Sequence, residues 1–377
     1  MKPGSMRRRL AGILAVAVFT AACAGSPRAA PKLACTTLPI AGGPAAGVSG
    51  ERSVLDLSSV PGYLAGVAVW PSRCAVAVGW PIPPHGRALI VLWNGARWST
   101  LSTRALPWAS ELEAVASFPG GAWAVGQYGN ADQRNLGKPL IARVTGMTVR
   151  LVPVPGPAYG WLGGVAATSA TNAWAVGSAS ENASGPPLIL HWNGTAWTRA
   201  PLPASVRDGY FYSAAATSRK NAWAVGNSFE GPLMVRWNGM VWTRVRLPAA
   251  LRRRALLGVA ATSMTNAWAI TSTEIVHWNG RRWGQVVTPN IGITYMLWDL
   301  AATSANNAWA TGSAGGNRAL ILHWSGRSWT SALAPFAVQN VLIHVGASSA
   351  DNAWAVGNDG AGRILALHWN GHTWKRS

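Results

Sequence analysis

The stretch TNAWAVGSASENASGPPLILHWNGTAWTR, Thr171–Arg199, holds three tryptophans, and altered forms of it recur along the chain. Asn-Ala-Trp-Ala stands at Asn172, Asn221, Asn266, Asn307 and Asn352. GGAWAVG ending at Gly126 has Gly121 in the Asn place, and RCAVAVG ending at Gly79 has Val76 in the Trp place. From Val76 through Trp123, Trp174, Trp223, Trp268, Trp309 and Trp354 the spacings are 47, 51, 49, 45, 41 and 45 residues. A second signature follows each copy: LWNGARW, HWNGTAW, RWNGMVW, HWNGRRW, HWSGRSW and HWNGHTW, with RVTGMTV from Arg143 as the weak one. A third, GVAATS at Gly164 and Gly258, precedes them and returns as SAAATS at Ser213 and DLAATS at Asp299.

Each unit reads as four short strands: A around GVAATS, B around AWAVG, C around PLILHW, and D from the last Trp onward. The Asn-Gly between C and D favours positive φ and predicts a two-residue hairpin. Antiparallel four-stranded units of this length are the blades of a β-propeller, and seven of them close a ring. Strand A, built of Gly, Ala, Ser and Thr, suits the crowded axis; strand C, apolar throughout, suits burial between neighbouring blades. The chain ends at HTWKRS, which cuts the last D strand short. Val54–Leu57 is therefore expected to join the last blade as a clasp and to cover its edge. The fold class is all-β: a seven-bladed propeller over residues 51–377, after a signal segment at 1–22 and a Pro/Gly/Ala-rich leader at 23–50.

From about residue 52 onward the chain resembles the Trp-rich bacterial secreted seven-bladed β-propeller repeat proteins. These are similar in plan to WD-repeat, sialidase-type and quinoprotein propellers. WNGTAW resembles the sialidase Asp-box turn (S-x-D-x-G-x-T-W), one residue shorter and without the Asp. The resemblance implies an architecture and names no activity.

Eighteen of the 23 tryptophans occupy the three repeated positions, against 5 Phe and 6 Tyr in the whole chain. A residue needed in every blade is explained by what every blade does, which is to pack on the next; a buried indole contributes on the order of 150 to 250 Å² of contact. The rival is a multivalent lectin with one aromatic shelf per blade. His191, His277, His323 and His368 precede the C-strand Trp but give way to Leu92, Arg143 and Arg236 elsewhere, so they read as hydrogen-bonding strand residues and not as a metal ring. Asn172 and its equivalents are expected to bond turn backbone.

The first residues, MKPGSMRRRLAGILAVAVFTAACAGSP, join a basic segment to an apolar run from Leu10 to Ala22, the pattern of an export signal too short to span a bilayer. TAAC resembles a lipobox, with Cys23 as the acylated residue, although Thr20 stands where such motifs place Leu; cleavage after Ala24 is the alternative. Either route leaves Cys35 and Cys74 as a pair in an oxidising compartment, where a disulfide is expected. The reading is an exported chain, membrane-anchored by lipid or extracellular. Of the net charge of +20, removing Lys2, Arg7, Arg8 and Arg9 with the signal leaves +16. That excess favours anionic envelope polymers or lipid headgroups over nucleic acid, which an exported chain rarely meets.

Strands alternate in direction, so the A–B and C–D turns share one face of the ring and the B–C and D–A connections the other. The first is monotonous; the second varies, and loops on a rigid scaffold are where binding resides. It collects Tyr63, Trp108, Tyr159, Trp161, Tyr210, Tyr212, Trp298 and His344 as candidate ligand contacts, with Glu111, Glu113, Tyr212 and Asp299 as the candidates for acid–base work. No cofactor motif or metal-ligand spacing is present. The expected function is a binding module for an envelope glycan or protein. A carbohydrate-active hydrolase or lyase at the channel mouth is the alternative, and the multivalent lectin a further one.

Overall fold

A computed structural model describes residues 56–82, 86–129, 137–180, 185–251, 254–315, 318–333 and 341–377. The signal segment, the leader with Cys23 and Cys35, and Val54 lie outside them. The described residues form seven four-stranded antiparallel sheets, each with its strands in chain order A–B–C–D. The A strands are Gly62–Val69, Ser110–Phe118, Trp161–Ser169, Tyr210–Ser218, Gly258–Ala261, Tyr295–Ser304 and Val341–Ser349. Each lies against the A strand of the next blade, and the seventh lies against the first. The chain is a closed seven-bladed β-propeller with strand A innermost.

Seven apolar clusters hold the ring, one at each junction between blades. Six are built alike: the B-strand Trp of one blade inserts between the C and D Trp of the next. Trp174 lies 5.1 Å from both Trp237 and Trp242, the latter edge-on. Trp354 of the seventh blade meets Trp93 and Trp98 of the first at 5.2 and 4.9 Å. The B-strand indoles are among the largest fully buried side chains, as expected of packing residues. The two degenerate repeats face one another at the seventh junction. Val76, where blade one lacks its Trp, shares a cluster with Val144 and Val149, where blade two lacks its own two. Aliphatic side chains on both sides fill the space that three indoles fill elsewhere.

The His positions do make hydrogen bonds, and the structure shows why Arg can replace them. His191 Nε2 lies 2.9 Å from Asn172 Oδ1, and its ring stacks on Trp174 at 4.1 Å. In blade four the Arg236 guanidinium donates to Asn221 Oδ1 and lies 4.6 Å over Trp223. A flat nitrogen-bearing group is what both positions require.

Three expectations are corrected. The repeated Asn does not bond turn backbone of its own blade: Asn172 Nδ2 donates to Thr168 Oγ1 while Oδ1 meets His191, tying strands A, B and C together. The W-N-G-x-x-W turn is a four-residue loop, since Trp93 pairs directly with Trp98. In it Asn94 Oδ1 accepts from the N–H groups of Ala96 and Arg97, and Gly95 takes φ +97°. Only the weak copy, where Thr145 pairs with Thr148, is a two-residue turn.

The clasp, finally, differs from the expected strand where it can be followed: Val54 and Leu55 lie outside the described residues, Asp56 caps a turn and Leu57 is not in a strand. The last blade has its own D strand, Trp374–Arg376, equal in length to those of blades one, three and four. Leu57 instead opens a one-turn 3-10 helix, fully buried beside Trp354, Val356 and Ile364 of the last blade. Along the outer edge of strand C of that blade (Ile364–Trp369), Ser377 N–H donates to Ala366 O and Ile364 N–H donates to Val60 O. The first described residues and the last ones thus share one edge, with 56–61 standing where other blades have their D–A connector.

Candidate functional site

The site is built by a repeated irregularity of strand A. In blades one to four, six and seven the A–B pairing slips by one residue near the start of strand A, a β-bulge whose extra residue opposes nothing. The extra residues are Ala65, Glu113, Gly163, Tyr212, Trp298 and Ile343. In blade five Leu257 holds the same place, just before Gly258 pairs with Ile270. Glu113, Gly163, Tyr212, Leu257, Trp298 and Ile343 all line one cavity of about 640 Å³ at the channel mouth, joined by Gln127, Trp161 and His344.

The Gly that closes AWAVG is what permits the bulge. A Cβ on Gly126, Gly177, Gly226, Gly312 or Gly357 would overlap the carbonyl oxygen of Glu111, Trp161, Tyr210, Met296 or Val341 on the bulging strand. In blade five Thr271 replaces that Gly, and strand A begins only after the bulge position.

One step deeper, the residues after the bulge form a second tier, in a space of about 120 Å³ lined by Ala114, Gly164, Ser213, Asp299 and His344. Asp299 is buried and its Oδ2 accepts from His344 Nδ1 at 2.9 Å and from Val345 N–H at 3.1 Å. Ser213 Oγ accepts from Val259 N–H in the corresponding place. Both cap an inner-strand N–H of the next blade that would otherwise face the axis.

The electrostatics of the cup centre on Glu113. Burial pushes its carboxyl up to about 7, and the neighbouring Glu111 adds to this while His344 opposes it. For His344, burial favours the neutral ring, but the Asp299 carboxylate, its hydrogen bond and Glu113 together hold the imidazole above its ordinary value. Near neutral pH the mouth can therefore hold a protonated Glu113 carboxyl beside the hydrogen-bonded His344–Asp299 pair. Burial, with the hydrogen bond to Tyr210, raises the Tyr212 phenol as well, so it stays a neutral donor and acceptor. Trp161, Tyr210 and Tyr212 pack on one another at 4.8 to 5.9 Å as one aromatic wall. Across the cup, the Nε1 of Trp298 is buried without a hydrogen-bond partner.

Of the residues read from the sequence, Glu113, Trp161, Tyr212, Trp298 and His344 meet in the cup, with Tyr210 behind the wall and Asp299 beneath. The others do not join them. Glu111 accepts from Gln127 Nε2 at 3.2 Å, Tyr63 stacks on Trp80 at 5.3 Å, and Trp108 is exposed with Arg87 5.2 Å over its ring. Tyr159 is exposed on the approach to blade three. The pairing of Tyr212 with Asp299 is not made either, because Asp299 is engaged by His344 and Val345. Gln127, Leu257 and Ile343 were missed; the Gly that closes the B strand was the signal for the bulge that brings Ile343 inward, whereas blade five, with Thr271 in that place, carried no such signal for Leu257. Among the described residues no three His, Cys, Asp or Glu side chains converge as metal ligands.

Two sequence comparisons find nothing: no family model matches the chain, and no curated protein does. Solved structures share its fold. They include "YCF48 bound to D1 peptide" (TM-score 0.58, 16% identity, 82% of this chain and 94% of that one). YCF48 from Cyanidioschyzon merolae follows at TM-score 0.56 and 16% identity, over 82% and 97% of the two chains. The GH74 xyloglucanase from Xanthomonas campestris has TM-score 0.59 at 14% identity, over 84% of this chain and 53% of that one. At such identities the likeness is one of fold: all are β-propeller relatives in architecture.

Proposed function

We propose that this protein is an exported binding module of the cell surface, and that its ligand, a glycan or polypeptide segment of the envelope, seats in the cup at the channel mouth. The observation that carries the reading is the convergence of the bulged residues of five blades, with Leu257 in the same place of a sixth, on one cavity that has aromatic walls and a hydrogen-bonding edge of Glu113, Gln127 and His344. Apolar faces for stacking beside a few polar groups for orientation suit such segments. Among proteins of this fold, one neighbour was solved with a peptide bound and another is a xyloglucanase, so both ligand classes have precedent on propellers. The lectin reading with one shelf per blade is less favoured, because the B and D indoles are buried between blades.

Export places Cys23 at a lipid anchor or removes it, and joins Cys74 to Cys35; the intact mass of the mature protein tests both. Binding is tested on glycan and peptide arrays with the parent and with Trp298→Ala and Tyr212→Ala. One class of ligand, lost in both variants, is expected; binding retained in both overturns the assignment. The hydrolase or lyase reading has one observation in its favour, the protonated Glu113, which has the acidity of a general acid near pH 7. Turnover of a polysaccharide abolished in Glu113→Gln would establish it in place of simple binding.

A further inference from the structure

The face opposite the cup, made of the A–B and C–D turns, divides the charge of the molecule unevenly. In blades four and five these turns carry Arg219, Lys220, Arg281 and Arg282, all exposed, and no acidic residue. The same turns expose two long apolar side chains to solvent: Met240 at 80% and Met264 at 57%. Neither is on a loose loop. The Met240 N–H is held by Asn238 Oδ1 at 2.9 Å, and the Met264 carbonyl accepts from both Arg236 Nη2 and Trp278 Nε1, at 2.9 and 3.1 Å. Two exposed thioether side chains on turns that also carry four cations would gain nothing from a polyanion in solution but would bury apolar surface at a bilayer. At a bilayer the cations meet lipid phosphates while the methionines enter the acyl boundary.

We infer that this turn face docks on an anionic lipid bilayer, through Arg219, Lys220, Arg281 and Arg282 with Met240 and Met264 inserted. The inference is independent of the ligand proposed above. Together they orient the molecule, with the turns on the membrane and the cup facing away from it.

The test is flotation of the protein from Gly25 onward, which lacks both the export signal and Cys23, with phosphatidylcholine vesicles and with mixed phosphatidylglycerol–phosphatidylcholine vesicles. Salt-sensitive binding to the mixed vesicles alone is expected. Charge reversal at Arg281→Glu with Arg282→Glu should weaken it at least about tenfold. The same charge change at Arg150→Glu with Arg199→Glu, on outer strands away from the turns, should leave it within about twofold. Met240→Asp should weaken vesicle binding and leave binding to soluble polyphosphate unaltered. Equal losses in the two double variants would reduce the effect to net charge and overturn the inference. So would binding to polyphosphate without binding to vesicles, or vesicle binding indifferent to Met240→Asp.

Discussion

Glu113→Gln should stabilise the protein, increasingly as pH rises above about 4.5 and fully above about 7. The carboxyl sits at about 7 against an ordinary 4.5, so ionising it inside the cup costs about 3 kcal/mol more than in the unfolded chain. Between these two values the folded state keeps a proton that the unfolded state has released. Stability from this group is therefore fully present below about pH 4.5, falls as pH rises, and is lost above about 7. His344, also raised, acts in the same sense. Gln keeps the shape of the protonated acid and never ionises, so the variant escapes the loss. Scanning calorimetry of parent and variant should show equal melting temperatures at about pH 4 and a variant higher by about 5 °C at about pH 8, given the size of the domain. A difference of the same size at both pH values would refute the reasoning, because it would arise from packing and not from the proton.

Three further outcomes follow from the packing. Trp174→Val, which copies the residue of blade one into a junction that still holds Trp237 and Trp242, should cost about 3 to 5 kcal/mol in denaturant unfolding, since no neighbouring side chain fills the gap. Asn266→Ala strands both His277 Nε2 and Thr262 Oγ1 and should cost about 1 to 3 kcal/mol, measured the same way. Leu57→Ala should cost about 2 to 5 kcal/mol and lower the melting point of the whole domain; an unchanged melting point would show that the 3-10 turn does not hold the last blade.

The fold was legible because its unit repeats. Three signatures at a steady spacing gave blade number and strand order, and the six copies of each Trp pointed to a role that every blade shares. The matched degeneracy of Val76 with Val144 and Val149 was not legible, because neighbours across a junction lie far apart in sequence. The candidate site was legible in its face and in Glu113, Trp161, Tyr212, Trp298 and His344, which vary where the repeats otherwise agree. What grouped them was hidden. Glu113, Gly163, Tyr212, Trp298 and Ile343 share no residue type, since a bulge is a property of the backbone, and its trace lies on the neighbouring strand as a Gly that tolerates a close carbonyl. Turn length was misread for a related reason: the Asn side chain of W-N-G satisfies two N–H groups and so stabilises a wider loop than Asn-Gly alone suggests.

The shared edge of the seventh blade bears on how the molecule is made. Trp98 Nε1 donates to Ser377 Oγ across 279 positions of sequence, and Trp354 can find Trp93 and Trp98 only when the first and seventh blades meet. Every other junction joins successive repeats and can form as a local event. This one carries the entropy of closing the largest loop the domain contains, so it belongs at the end of assembly. Until then the growing array is a spiral with an indole pocket open at one end and an unpaired indole at the other, the geometry by which one copy could add to the next instead of to itself.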